Sequence, residues 1–330
     1  MRGLGPIAQG LTTGADVARF GFYVQLRRIL DPERPGVFHA LHRADRLVPR
    51  VWRAGRGLME DELLRCGLEP QVDRALRVQY RVAVTELALG RFTRETLEPF
   101  VRVEGREHLD SALSHGKGVV WVYPHAGAVM LMLAWLVKNG YPYTQYAARG
   151  LAPKDVAEAH NRLLGHNKWR QAVRDAREQD EDQTGGTFLS LSKPARELYR
   201  TLARNELVGI AFDGRIGNKW QPHRFLGREA LLNPGAWRIA ASTGAMIVPC
   251  YNTVPDVGPA VCTIGEPIPP NAPDAAERVL AFAEAQIRRS PAEYGPWLLH
   301  CRLRNTIDDH PLFTDQAEDE RWRKWTTGRA

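Results

Sequence analysis

The chain has 330 residues, of which 44% are hydrophobic and 25% charged, and carries a formal charge of +7. That composition excludes a disordered, collagenous or coiled-coil protein and suffices for one large α/β unit with an appendage. The basic balance, supplied mostly by arginine, suits a phosphate-bearing partner or an acidic carrier surface without identifying it, and no nucleic-acid partner is expected. Four cysteines, Cys66, Cys250, Cys262 and Cys301, form no CxxC pair, and their spacing fits neither a zinc site nor a small disulfide framework. A reduced, cytoplasmic setting without a bound metal is the expectation.

From the N-terminus, residues 1–100 read as a helical layer. The segments VARFGFYVQLRRIL, VFHALHRADRLVPRVWRAG and VDRALRVQYRVAVTELALGRF place apolar residues at helical spacing with arginine opposite. Asp16 and Arg19 interrupt the apolar run that a signal peptide would need. The longest apolar stretch, Ala128 to Val137, has ten residues, half of the roughly 20 needed to span a bilayer. Membrane contact is therefore expected to be peripheral at most, at the inner face.

From Val101 the period changes. VVWVY (Val119–Tyr123), LVGIAF (Leu207–Phe212), AMIVPCY (Ala245–Tyr251) and AVCTI (Ala260–Ile264) are apolar runs of strand length, and helical stretches separate the first three. YTQYAARG leaves a further strand. The alternation predicts an α/β fold with a mostly parallel central sheet flanked by helices across residues 101–330, forming one compact unit with the helical layer. Between these elements, Asp175 to Gly186 is acidic and ends in a Gly pair, which reads as a surface loop or insertion, with a lid as the functional alternative. The charged, Trp-containing tail from Asp308 reads as a terminal surface helix.

Several familiar motifs are missing: the GxSxG elbow, a GxGxxG after a strand and the P-loop. His39 and His42 lie three apart on a helix, but no third metal-type ligand accompanies them. The chemistry converges instead on His125, placed where a buried apolar run hands over to a helix, at the sheet edge where open α/β folds put their sites.

The stretch VRVEGREHLDSALSHGKGVVWVYPHAGAVMLMLAWLVKNGYPYTQYAARG resembles the first catalytic block of the lysophospholipid acyltransferase superfamily, closest to its bacterial lipid A (lauroyl/myristoyl) and mannoside acyltransferases. A second block, LARNELVGIAFDGRIGNKWQPHRFLGREALLNPGAWRIAASTGAMIVPCYNT, follows in the family's order. The resemblance covers roughly residues 100–265 and implies an acyltransferase-like fold. It also implies transfer of an acyl group from a CoA or carrier-protein thioester, a donor substrate rather than a cofactor, to a hydroxyl or amine of a small-molecule or lipid acceptor. His125 would be the general base. A biosynthetic, specialised-metabolism role fits the expected lack of a membrane anchor.

One departure stands out. The family carries an acid five positions after its histidine, and here that position is Met130. Losing the orienting carboxylate of a Ser-His-Asp triad costs about 10⁴ in kcat, so the change has consequences. Three readings stay open. Asp213, at the end of the next motif strand, replaces the missing acid; or His125 works alone on a more reactive acceptor such as an amine; or the chain is an inactive lipid- or protein-binding module. If the alignment holds, Met130 should lie in contact with His125. Gly127, Met130, Arg149, Gly214, Arg215 and Phe225 complete the expected substrate-binding set. The two arginines would be phosphate-pairing groups, each with ordinary surface solubility as its plain alternative. Met130, Leu131, Met132, Leu133, Trp135 and Leu136 could line an acyl tunnel, although core packing accounts for most of them.

Overall fold

The run VVWVY becomes the middle of the molecule because both of its faces are apolar. All five residues of strand β2 (Val119–Tyr123) are buried, as expected of a strand covered on both sides. A computed structural model describes residues 21–51, 55–147, 168–190, 195–215, 219–308 and 311–318. Besides β2, its strands are β1 (Val101–Glu104), β3 (Tyr143–Ala147), β4 (Thr187–Ser190), β5 (Leu207–Ala211), β6 (Gln221–Phe225), β7 (Arg228–Leu232), β8 (Met246–Thr253) and β9 (Ala260–Ile264). Seven form one sheet in the order β1-β9-β8-β2-β5-β3-β4, and β6 and β7 form a separate hairpin. The five strands from β8 to β4 are mutually parallel; β9 runs antiparallel to β8, and β1 pairs parallel with β9.

The helices used below are α1 (Pro35–Arg43), α2 (Arg56–Arg65), α3 (Val72–Glu86), α4 (Arg106–Leu113), α5 (Val129–Lys138), α6 (Lys168–Gln183), α7 (Arg196–Ala203), α8 (Gly235–Thr243), α9 (Ala275–Arg289) and α10 (Gly295–Asp308). The crossover β2–α5–β3 runs one way along the sheet, whereas β4–α7–β5 and β5–α8–β8 run the other. Right-handed connections therefore put α5 on one face and α7 with α8 on the opposite one, and α7 indeed packs on α8. Helix α5 is apolar nearly all round, and Met130, Leu131, Met132, Leu133, Ala134 and Leu136 are buried. The plain core-packing reading of that stretch accounts for these positions.

Before Val101 the described elements are helical, and α2 packs along α10 while α3 meets the turn at Pro291–Glu293. A buried ionic knot fastens this layer. Glu62 is fully buried and accepts from Arg228 Nη1 at 2.8 Å, Arg302 Nη1 at 2.8 Å and Gln316 Nε2 at 3.0 Å. Arg302 also reaches Asp61 at 2.6 Å. The knot thus binds α2, the hairpin, α10 and the chain after residue 310 to one another.

Two expectations are corrected. The acidic stretch after Asp175 is not a loop: α6 runs through Gln183, and the turn comes only at Gly185, where φ is +89°. Two of its acids are paired, buried Asp180 taking Arg27 Nη2 at 2.6 Å and Nε at 3.2 Å, and Glu181 facing Arg177 one turn away. Nor is the tail a surface helix where it is described. Leu312 and Phe313 are buried, the Leu231 amide donates to the Leu312 carbonyl at 2.8 Å, and a 3-10 turn follows at Thr314–Glu318. Apolar side chains inside a charged tail took it inward.

Candidate active site

Tyr123 and Ala211 are partners in the parallel register of β2 and β5. His125 and Asp213 each lie two residues beyond them, so the register alone brings the two side chains together past the C-terminal ends of the strands, where α/β sheets place their chemistry. His125 Nδ1 lies 2.6 Å from Asp213 Oδ1. The His125 amide also donates to the same carboxylate, at 3.0 Å to Oδ2 and 3.3 Å to Oδ1. Asp213 is fully buried, whereas the imidazole is 38% exposed. A carboxylate at Nδ1 holds the ring in the tautomer that carries its proton there and leaves Nε2 as the basic nitrogen. Nε2 has no hydrogen-bond partner among the described residues.

Two aromatic residues from the turn entering α10 complete this pair. The Tyr294 hydroxyl donates to Asp213 Oδ2 at 3.1 Å. Burial first, and the negative charge of Asp213 second, push this phenol well above its ordinary range, so it stays a protonated donor. The Trp297 ring lies flat on the imidazole, with centroids 3.7 Å apart and planes 14° from parallel. His300 stacks against Trp297 at 4.8 Å.

The peptide between His125 and α5 is tightly confined. Gly127 has φ +60°, and a Cβ there would meet the Asn252 carbonyl oxygen at 2.2 Å, so only glycine fits. On the other side the Gly127 amide approaches the Glu293 carbonyl at 3.4 Å. Glu293 itself is buried and held by Arg74 Nη2 at 3.0 Å and by the Val254 amide at 3.1 Å. The loop that carries the histidine is thus clamped between the end of β8 and the turn before α10.

Met130 is buried at the start of α5, near Glu86, the last residue of α3. Burial raises the Glu86 carboxyl above the usual carboxylate range, against the pull of Arg177. An acid from the helical layer therefore lies near the N-terminal end of α5, where the helix dipole favours negative charge.

The other expected residues are placed as follows. Gly214 lies against the imidazole, since a Cβ there would come 3.9 Å from His125 Cε1. Arg215 is buried, donates through Nη2 to the Leu231 carbonyl at 2.6 Å, and lies over the Trp220 ring at 4.3 Å. It ties the loop after β5 to the hairpin. Phe225 is fully buried, edge-on to Phe212 at 5.6 Å and to Tyr294 at 6.1 Å, so it is packed behind the pair instead of facing a substrate. Arg149 falls outside the described residues. The sequence reading missed Tyr294 and Trp297. The only available signal was a Tyr and a Trp three apart after Pro291, a pattern that does not name its partner.

Among the described residues no cluster of three or more His, Cys, Asp or Glu could hold a metal ion. No described helix is long and apolar enough to cross a membrane. All four cysteines are buried, and none of them forms a disulfide among the described residues.

No curated protein matches the chain. Of solved structures, the crystal structure of PlsC, the 1-acyl-sn-glycerophosphate (LPA) acyltransferase from Thermotoga maritima, matches 69% of this chain and 85% of that one at 15% identity, with a TM-score of 0.35. That likeness is too distant to carry a substrate or a mechanism across. The family model of the bacterial lipid A biosynthesis acyltransferases matches residues 71–305, a span that holds the helix bearing Glu86, both members of the His125–Asp213 pair and the Tyr294–Trp297 turn, and the chain belongs to that family.

Proposed function

We propose that the protein transfers an acyl group from a CoA or carrier-protein thioester to a hydroxyl or amine acceptor, with His125 as general base and Asp213 as its orienting acid. One observation carries this reading, the 2.6 Å contact between His125 Nδ1 and the buried Asp213 carboxylate. Nε2 takes the proton of the acceptor as its oxygen or nitrogen attacks the thioester carbonyl. As the tetrahedral intermediate collapses, the C–S bond breaks and the imidazolium returns the proton to the leaving thiolate. Asp213 stabilises the imidazolium in between and is not itself protonated. The neighbouring carboxylate also removes the main sequence argument for an inactive binding module, namely a histidine left without an acid.

The test is release of free thiol, together with acylated product detected by mass spectrometry, from acyl-CoA and acyl-carrier donors offered to lipid and small-molecule acceptors. His125→Ala should lower turnover at least about 10²-fold, the usual contribution of a general base. Near wild-type turnover in a folded His125→Ala protein would remove the mechanism.

A further inference from the structure

The orienting acid of this site comes from a strand end 88 residues away, and a hydrogen bond to Nδ1 leaves the ring free to tilt about that bond. Something else must fix its plane. The Trp297 indole covers one face of the imidazole, with centroids 3.7 Å apart and planes 14° from parallel. Three residues earlier, Tyr294 holds the carboxylate oxygen opposite the one that meets the imidazole. A single turn therefore touches both members of the pair. That turn is itself immobilised, because Glu293 is locked by Arg74 and Val254 and its carbonyl meets the Gly127 amide.

Resting on the acyl-transfer reading above, we propose that Trp297 and Tyr294 are the positioning residues of the His125–Asp213 pair. Trp297 sets the plane of the base and favours its cation through the indole face, and Tyr294 fixes the rotamer of the acid. The electron-rich face of an indole attracts a cation held against it, so the stack favours the imidazolium that forms when the acceptor proton moves. Tyr294 acts with the opposite sign. Its donated hydrogen bond draws charge from Asp213, so the acid is held in place while its pull on the imidazolium is moderated. The charged and titratable groups around His125 are Asp213 from the β5 end, Tyr294 through Asp213, Arg215 two residues on, and His300 on the far face of Trp297.

The test reads His125 itself by NMR of the full-length protein with 13C-labelled histidine, in wild type, Trp297→Leu, Trp297→Phe and Tyr294→Phe. The ring current of a stacked indole should move the His125 Cε1–H resonance upfield in wild type, and Trp297→Leu should abolish that displacement. Trp297→Leu should also lower the His125 pKa, because the indole face that favours the cation is lost. Trp297→Phe, which keeps an aromatic face, should restore most of that shift, and Tyr294→Phe should move the pKa upward. Should Trp297→Leu fail to fold, Trp297→Gln supplies the same comparison. A His125 resonance and pKa unchanged by loss of the ring would overturn the proposal. These readouts need no turnover, so they separate this proposal from the acyl-transfer reading, which fails only if no donor and acceptor react. In an active enzyme, the pKa displacement should reappear in the acidic limb of the kcat/KM profile, with kcat falling more than KM rises.

Discussion

Two carboxylates, Asp213 and Glu62, are both fully buried, yet their surroundings differ in kind. Glu62 is met by two guanidinium groups and an amide, so its charge is spent on structure. Asp213 receives the imidazole, the His125 amide and the Tyr294 hydroxyl, none of which carries a permanent charge. Three hydrogen bonds hold its geometry while its field remains available to a proton arriving on the one partner that can be charged transiently. On the proposed acyl-transfer reading, the neutrality of its donors and the partial exposure of the base it touches set this buried acid apart.

The sharpest way to break the comparison is to neutralise each acid in turn. Asp213→Asn should lower turnover by about 10²- to 10⁴-fold, approaching the loss in His125→Ala, with folding nearly intact, because its neutral donors lose little when the charge goes. Adding the family's acid in the motif position should not help. Met130→Glu in the Asp213→Asn background puts a second carboxylate beside Glu86 in an apolar setting, and thiol release should stay at the Asp213→Asn level.

Glu62→Gln should behave in the reverse way. Removing its charge leaves Arg228 and Arg302 buried beside a neutral amide, and breaking a buried ionic cluster costs about 3 kcal/mol or more. Urea melts should show that loss while turnover per folded molecule changes less than twofold. A large fall in turnover with unchanged stability would show that the knot belongs to the site.

The smallest expected effect comes from His42, a half-buried base without a catalytic neighbour. Burial, then the charge of Arg81, push it down from 6.5 to about 4, and its Nε2 lies 3.1 Å from the Thr85 hydroxyl. Its folded pKa is depressed, so protons favour the unfolded chain. The associated stability is complete above pH 6.5 and is lost as pH falls toward 4. The loss should be about 2 kcal/mol after discounting for the ring's remaining exposure. Chemical denaturation across that window should show the slope in wild type and a flatter one in His42→Gln.

Much of this arrangement was legible in the chain. Val119–Tyr123 and Ala260–Ile264 are strands at the residues their apolar runs occupy, because strands buried on both faces leave an uninterrupted apolar record. His125 and Asp213 were legible as motif positions. Their meeting was not, since strand order and register are tertiary facts. The hairpin was also hidden. β6 reads QPHRF, mostly exposed and polar, and its two-residue turn places Leu226 at φ +51° ahead of Gly227 at +75°. A leucine is a poor sequence marker for a left-handed turn, and it is accepted here because the side chain is buried and its amide donates to Glu284. The α6 misreading has the same origin: Asp180 looks solvated until Arg27, 153 positions away, is known to face it.

The dyad's ancestry in two strand ends has a kinetic corollary. An acid five residues after the base would lie in the same short loop-to-helix segment and could be assembled locally, early and repeatedly. An acid 88 residues away exists as a partner only once the β2–β5 ladder has closed in the correct register. A slip of one residue would turn one of the two side chains to the opposite face of the sheet. Catalytic competence therefore becomes a late event of folding, and regain of turnover on refolding should lag behind regain of helical signal and coincide with protection of the β2 and β5 amides from hydrogen exchange.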